Sequence, residues 1–166
     1  GHAASALYSV LALQGFFPMD WLKKYCENDA PLGGHVTSKG VAGVELSTGS
    51  LGHGLPYGLG IAMSRKMSGV SGRVFVVMSD GECDEGSVWE AAMFAASNKV
   101  NNLIGIVDWN GQQINGTVES VVSLGDLRAK WLSFGWEVLE VDGHDYETLK
   151  TVLLNAKNFS SREKPL

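Results

Sequence analysis

The sequence has few cysteines, no long apolar run and no excess of positive charge, and each absence excludes a class of protein. Cys26 and Cys83 are its only cysteines and have no CxxC spacing, so we expect two reduced thiols in a cytoplasmic protein. No apolar run approaches the ~18–20 residues of a membrane span, and we expect neither a signal peptide nor a membrane partner. Thirteen basic residues against eighteen acidic ones give a net charge of −5, which argues against a nucleic-acid partner.

Glycine, by contrast, is abundant, and it clusters between the periodic segments. The chain has 21 glycines in 166 residues, well above the usual ~7%. Residues 29–52 are glycine-rich with little periodicity, which predicts a long loop of the kind that is usually functional or disordered. We expect residues 1–166 to form one domain without disulfides. Since the chain begins at Gly1 without Met, we also expect a piece that is incomplete at both ends.

Apolar strand-length runs alternate with helical patterns along the chain. The patterns predict helices over 2–14, 54–67, 87–98, 126–134 and 145–157, and strands over 73–78, 103–107 and 136–141. We also expect Asp20 to cap a short helix over 21–27, and Asp126 and Asp145 to cap the last two helices. Strands that alternate with helices predict an α/β fold, a parallel β-sheet flanked by helices on both faces.

Polar side chains follow two of the predicted strands at the point where each ends. In "VFVVMSDGECDEGSVWEAA", residues 74–92, an apolar strand meets Asp80 and three more carboxylates before a helix begins near Glu85. Asn110 follows the next strand, and ligands of such sheets bind at the carboxyl ends of strands, so we expect Asp80 and Asn110 side by side.

Oxygen ligands of this kind suit Mg²⁺ or Ca²⁺ and not zinc. The helix starting near Glu85 would direct its N-terminus at a diphosphate held by that metal. The alternative is structural: Asp80 in a β-turn and Asn110 in an Asx-turn, and these residues alone leave both open.

The residues of these motifs and their spacing resemble the thiamine diphosphate fingerprint of transketolases. That fingerprint is an Asp-Gly pair followed about thirty residues later by Asn, and it matches Asp80-Gly81 and Asn110. Further segments resemble transketolase segments in the same order: "GHAASALYSVLAL", "GGH", "GVELSTGSLGHG", "NLIGIVDWNGQQINGTVE" and "GWEVLEVDGHD". The resemblance covers nearly the whole chain and implies a thiamine-diphosphate-binding fold, specifically its diphosphate-binding domain.

The resemblance also implies a role for each matching residue. The metal ligands would be Asp80, Asn110 and the main-chain oxygen of Gln112, and the diphosphate contacts His2, Gly81 and Asn110. Gly49, Ser50 and Leu51 would hold the aminopyrimidine ring. The residues implied in catalysis are His2, then His35 in the substrate channel for proton transfer or hydroxyl binding, and Glu85 beside a partner polypeptide, coupled to that partner's glutamate.

The activity implied is transfer of a two-carbon ketol unit between a ketose and an aldose, with thiamine diphosphate and Mg²⁺ (or Ca²⁺) as cofactors. The pyrimidine-binding half would come from the second subunit of a split transketolase, or from the rest of a full-length enzyme of which this chain is a fragment. We expect a dimer or heterotetramer, sugar-phosphate substrates and no activity of this chain alone. Two alternatives stay open: another thiamine diphosphate enzyme of C–C bond chemistry with a specialised acceptor, or a non-catalytic scaffold subunit. The intact Asp80, Gly81, Glu85 and Asn110 disfavour the scaffold.

One residue departs from the family pattern. Ser79 stands where the family usually has glycine before Asp80. We expect this small side chain to be tolerated, but to crowd the diphosphate and weaken its binding.

Overall fold

The computed structural model describes residues 1–159 and 163–166, and it divides into two compact units, Gly1–Leu51 and Gly52–Leu166. The prediction of a single domain over 1–166 remains a prediction. Among the described residues, no helix is long and apolar enough to cross a membrane.

The first unit contains one α-helix, one 3₁₀-helix and a long loop. Helix α1 spans Ala4–Leu13 and the 3₁₀-helix spans Met19–Lys24. Residues 25–51, all of them described, contain neither helix nor strand, which confirms the predicted loop. The predicted cap was wrong: Pro18 precedes the 3₁₀-helix, while Asp20 lies in its first turn and its carboxylate accepts a 2.7 Å bond from Lys23 Nζ.

The second unit is built on a parallel pair of strands with helices on both faces, as predicted. Strands β1 (Val74–Ser79) and β2 (Leu103–Asp108) pair in parallel with Ser79 opposite Asp108. Helices α2 (Gly54–Met67) and α3 (Gly86–Ser97) share one buried core with Val76 and Met78 of β1. A side chain at Gly58 would bring its Cβ within 2.3 Å of Val76 Cγ2, so glycine there lets α2 approach the sheet.

The remaining elements follow in chain order. A 3₁₀-helix covers Gly81–Asp84, and a hairpin is formed by β3 (Gln112–Gln113) and β4 (Gly116–Thr117). The last helices are α4 (Val118–Val121), α5 (Leu127–Ser133) and α6 (Tyr146–Lys157). The predicted caps of the last two are confirmed, since Asp126 accepts from Ala129 N–H at 2.8 Å and Asp145 from Thr148 N–H at 3.1 Å. Ala156 of α6 packs with Ile104 on the second face of the sheet.

The predicted strand over residues 136–141 was wrong. Within the described part of the chain this segment is irregular. Its one ladder-like bond runs from Glu137 N–H to Pro165 O at 2.9 Å, while Gly105 N–H of β2 donates to Leu166 O at 2.8 Å. Because Leu166 takes up backbone bonds of Leu103 and Gly105 on this side of β2, residues 136–141 do not pair with that strand. Trp136 lies in the core instead and Val138 packs against it, whereas Leu139 is 53% exposed.

Candidate functional site

The parallel register of β1 and β2 places the two polar strand ends together. Asp80 directly follows β1, and its N–H donates to Asp108 O, at the end of β2, at 3.2 Å. Asp80 Oδ2 in turn accepts a 2.7 Å bond from the N–H of Gly111, the residue after Asn110. The prediction that Asp80 and Asn110 share one edge of the sheet is therefore confirmed.

Asp80 is a buried carboxylate that accepts hydrogen bonds from two neutral donors. It is 0% exposed, and its Oδ1 accepts from Gly81 N–H at 2.8 Å while Oδ2 accepts from Gly111 N–H. A buried carboxylate without a cation is costly, and the ion pairs found among the described residues do not include Asp80. Each oxygen keeps a free lone pair. The carboxylate is thus suited to a metal ion that would offset its buried charge.

Asn110 forms the Asx-turn that the sequence left as an alternative. Its Oδ1 accepts from Gln112 N–H at 2.9 Å, and its Nδ2 donates to Asp108 Oδ2 at 3.1 Å. An amide oxygen has two lone pairs, so the turn leaves one of them for a cation. The turn and a metal site are therefore compatible.

The donor set at this edge consists of oxygens. One carboxylate, one amide oxygen and the predicted third ligand, the main-chain carbonyl of Gln112 at the start of β3, are of the type that fits a hard cation with phosphate and water in the rest of its shell. No cluster of three or more His, Cys, Asp or Glu able to hold a metal exists among the described residues. This argues against a zinc site in that part of the chain. It does not argue against a Mg²⁺ site, because such a site needs only one carboxylate.

Helix α3 begins directly after the 3₁₀-helix that follows Asp80. Glu85 occupies its N-cap position, is exposed and makes no side-chain capping bond. A Cβ at Gly86 would meet nothing within 4 Å, so the first turn is open at this position. The Ser79 hydroxyl turns into the 3₁₀-helix, where Oγ accepts from Glu82 N–H at 3.1 Å. The expected weakening of diphosphate binding by the Ser79 side chain remains a prediction.

Gln113 and the Gly111 amide are neighbours of the site that the sequence analysis missed. Gln113 Nε2 donates to Asp84 Oδ2 at 2.7 Å, and its side chain lies so close to Gly81 that a Cβ there would be 2.8 Å from Gln113 Cγ. The sequence "NGQQ" after β2 could have indicated these two residues, but their positions depend on the hairpin β3–β4.

Burial and negative charge also affect a cysteine beneath this edge. Cys83 is buried, and burial, followed by the carboxylates of Glu82, Asp80 and Asp84, raises the pKa of its thiol to about 12. A neutral thiol there cannot act as a nucleophile or metal ligand near neutral pH.

The first unit brings together another part of the predicted site. A Cβ at Gly49, whose φ is +127°, would lie 2.6 Å from His35 Cδ2, and one at Gly1 would lie 2.7 Å from Gly49 Cα. His35 therefore packs on the Gly49 backbone, next to the residue that precedes His2. His2 itself is exposed before α1, and Ser50 and Leu51 continue the loop beyond Gly49.

Comparison with known proteins assigns the chain to a family. The family model described as "Transketolase, thiamine diphosphate binding domain" matches residues 1–166. One of the subunits of the apulose-4-phosphate transketolase of Actinobacillus succinogenes is 43% identical over 161 residues, 95% of this chain and 58% of the relative. A 6-deoxy-6-sulfo-D-fructose transketolase subunit of a Clostridium species is 36% identical over 157 residues, 95% of this chain and 57% of the relative.

A solved structure shows the same fold. The transketolase of Campylobacter jejuni superimposes with a TM-score of 0.89 at 31% identity, over 99% of this chain and 27% of the larger one. The chain thus spans somewhat more than half of the two subunit relatives, 58% and 57%, and about a quarter of this transketolase.

Proposed function

Because this chain belongs to the family of transketolase thiamine diphosphate-binding domains, we propose that it supplies the metal- and diphosphate-binding half of a ketol-transferring active site. Thiamine diphosphate with a divalent metal is the general cofactor of this family. The observation that carries the proposal is the buried Asp80 carboxylate, bonded to Gly81 N–H and Gly111 N–H at the carboxyl ends of two parallel strands.

The residues of the second unit would bind the polar end of the cofactor. Asp80, Asn110 Oδ1 and the main-chain oxygen of Gln112 would hold Mg²⁺, and Gly81 and Asn110 would contact the diphosphate. Support comes from the oxygen-only donor set and from the open first turn of α3. The bound cofactor supplies the carbanion-stabilising ring needed for cleavage of a C–C bond.

The residues of the first unit would serve the diphosphate, the aminopyrimidine ring and the substrate. His2 would contact the diphosphate, and Gly49, Ser50 and Leu51 would contact the aminopyrimidine ring. His35 would bind a substrate hydroxyl or move its proton. Glycine at 49 supports this arrangement, because any side chain there would collide with the His35 ring.

The active site would be completed by a pyrimidine-binding subunit in a heteromeric assembly in the cytoplasm. The named relatives are subunits of transketolases, which supports a second chain, and the exposed Glu85 is available to contact the partner's glutamate. The substrates would be sugar phosphates, or a specialised acceptor, since the two subunit relatives are named for apulose 4-phosphate and a sulfonated fructose.

The test is reconstitution of two-carbon transfer from a ketose phosphate to an aldose. The chain is assayed alone and with a pyrimidine-binding transketolase subunit, with thiamine diphosphate and Mg²⁺ present. We expect activity only in the mixture, and we expect Asp80→Asn to abolish it while Asp20→Asn, an exposed carboxylate in the first unit, does not. Transfer by the chain alone would refute the need for a partner. An inactive mixture of folded, cofactor-bound subunits would favour the alternative of a non-catalytic scaffold subunit.

A further inference from the structure

A buried tyrosine lies beneath the loop that carries His35. Tyr8, on α1, is 0% exposed, and its hydroxyl donates to His35 O at 3.1 Å. The same hydroxyl accepts from Thr37 N–H at 3.2 Å. A single buried side chain thus fixes the backbone on both sides of residue 36.

The His35 ring makes a hydrogen bond to its own loop that requires one tautomer. Its Nδ1 lies 3.2 Å from Gly34 O, and because a carbonyl can only accept, Nδ1 must carry the proton of this bond. In the neutral ring Nε2 is then the hydrogen-bond acceptor. The Gly34 carbonyl also accepts from the Tyr25 hydroxyl at 3.2 Å, so a second tyrosine steadies the group that orients the ring.

The ring also has a fixed neighbour on its other edge. Its Cδ2 side lies against the Gly49 backbone, at the place that a side chain on Gly49 would fill. The ring is therefore bounded by the Gly34 carbonyl and by Gly49. Its position between them depends on where the His35 backbone lies, and that backbone is bonded to Tyr8.

We propose that Tyr8 is a positioning residue for His35, which keeps the imidazole in the Nδ1-protonated form with Nε2 free for the hydroxyl groups of a sugar substrate. The substrate part of this proposal rests on the proposed function. The orientation and tautomer of His35 are properties of this chain alone, and they are tested without cofactor, substrate or partner.

The competing explanation is that Tyr8 only stabilises the core of the first unit. Its ring makes edge-to-face contacts with Phe17 and Tyr25 at centroid distances of 6.4 and 6.1 Å. Tyr8→Phe keeps these ring contacts and removes only the hydroxyl. A stability measurement alone would not separate the two roles, whereas the tautomer of His35 does.

The experiment is ¹⁵N NMR of the imidazole nitrogens in the isolated chain at about pH 9, where ordinary histidines are neutral. The chain has only four histidines, and His35→Gln assigns the signal. We expect wild-type His35 to be predominantly Nδ1-protonated. Tyr8→Phe should lower the ratio of Nδ1–H to Nε2–H by about fivefold, the contribution of the one hydrogen bond from Nδ1 to Gly34 O. Tyr25→Phe, which removes an exposed bond, should change it less, and Tyr146→Phe, on α6, should leave it unchanged.

Hydrogen exchange of the Thr37 amide provides the matching structural readout. Its acceptor is the Tyr8 hydroxyl, so we expect exchange to be about fivefold faster in Tyr8→Phe. Faster Thr37 exchange with an unchanged His35 tautomer would overturn the positioning role, as would an Nε2-protonated His35 in the wild-type chain. If the tautomer responds as expected but the chain fails to bind thiamine diphosphate, the Tyr8 contact stands and the proposed function falls.

Discussion

Replacing Gly81 by alanine tests the packing around the Asp80 carboxylate. The new Cβ would lie 2.8 Å from Gln113 Cγ and 2.9 Å from Gln113 Cδ, closer than real Cβ contacts allow. Because the Gln113 side chain is flexible, we expect it to swing away and lose its 2.7 Å bond to Asp84 Oδ2. A hydrogen bond to a charged group contributes about 1.5–3 kcal/mol, and for a chain of this size each kcal/mol shifts Tm by about 2–4 °C.

The assay is thermal unfolding of single and double variants. Gly81→Ala should lower Tm by about 3–12 °C, and Gln113→Ala should remove the same bond. In the Gln113→Ala background, Gly81→Ala should then cost much less, since the colliding atoms are gone. Gly86→Ala is the matched control, because its Cβ would meet nothing within 4 Å. Additive effects of the two substitutions, or a Gly81→Ala variant as stable as wild type, would refute the reasoning.

The remaining predictions concern the two thiols and a helix cap. A thiol reagent at about pH 8 should label exposed Cys26 in the native chain and reach buried Cys83 only after denaturation; labelling of both native thiols would contradict the assigned burial. The folded pKa of Cys83 is raised to about 12, so the protonated thiol should contribute fully to stability below the unfolded thiol pKa of about 8.5. This contribution should be lost as the pH rises from about 8.5 toward 12. Denaturant titrations should therefore show a difference in unfolding free energy between wild type and Cys83→Ala that becomes smaller over this range. Asp126→Ala should cost about 1 kcal/mol in urea unfolding through loss of the bond to Ala129 N–H, and Asp126→Asn should restore most of it; equal losses in both variants would argue against capping.

Much of the second unit could be predicted because its signals are local. The helix over 54–67 was predicted with the bounds that the structure has, and the caps Asp126 and Asp145 follow from their place before periodic segments. The meeting of Asp80 with the Asn110 loop followed from parallel pairing, which aligns the carboxyl ends of neighbouring strands.

The errors and omissions came from contacts that sequence spacing does not encode. The apolar pattern of 136–141 is typical of a strand, but the backbone beside β2 is bonded to Leu166. The packing of His35 on Gly49 arises in a loop without periodicity, and Gln113 reaches Gly81 only through the turn between β2 and β3. The roles of the site residues in binding and catalysis remain predictions.

The central claim is that the oxygens of Asp80 and the Asn110 loop bind a metal ion and, through it, the diphosphate. Calorimetric titration of thiamine diphosphate into the chain, with Mg²⁺ or with a chelator, measures this directly. We expect binding that requires Mg²⁺ and that weakens on the order of 100-fold in Asp80→Asn, while Asp20→Asn binds like wild type. Binding that is indifferent to Mg²⁺, equal affinity in Asp80→Asn, or no heat from the wild-type chain would contradict the account.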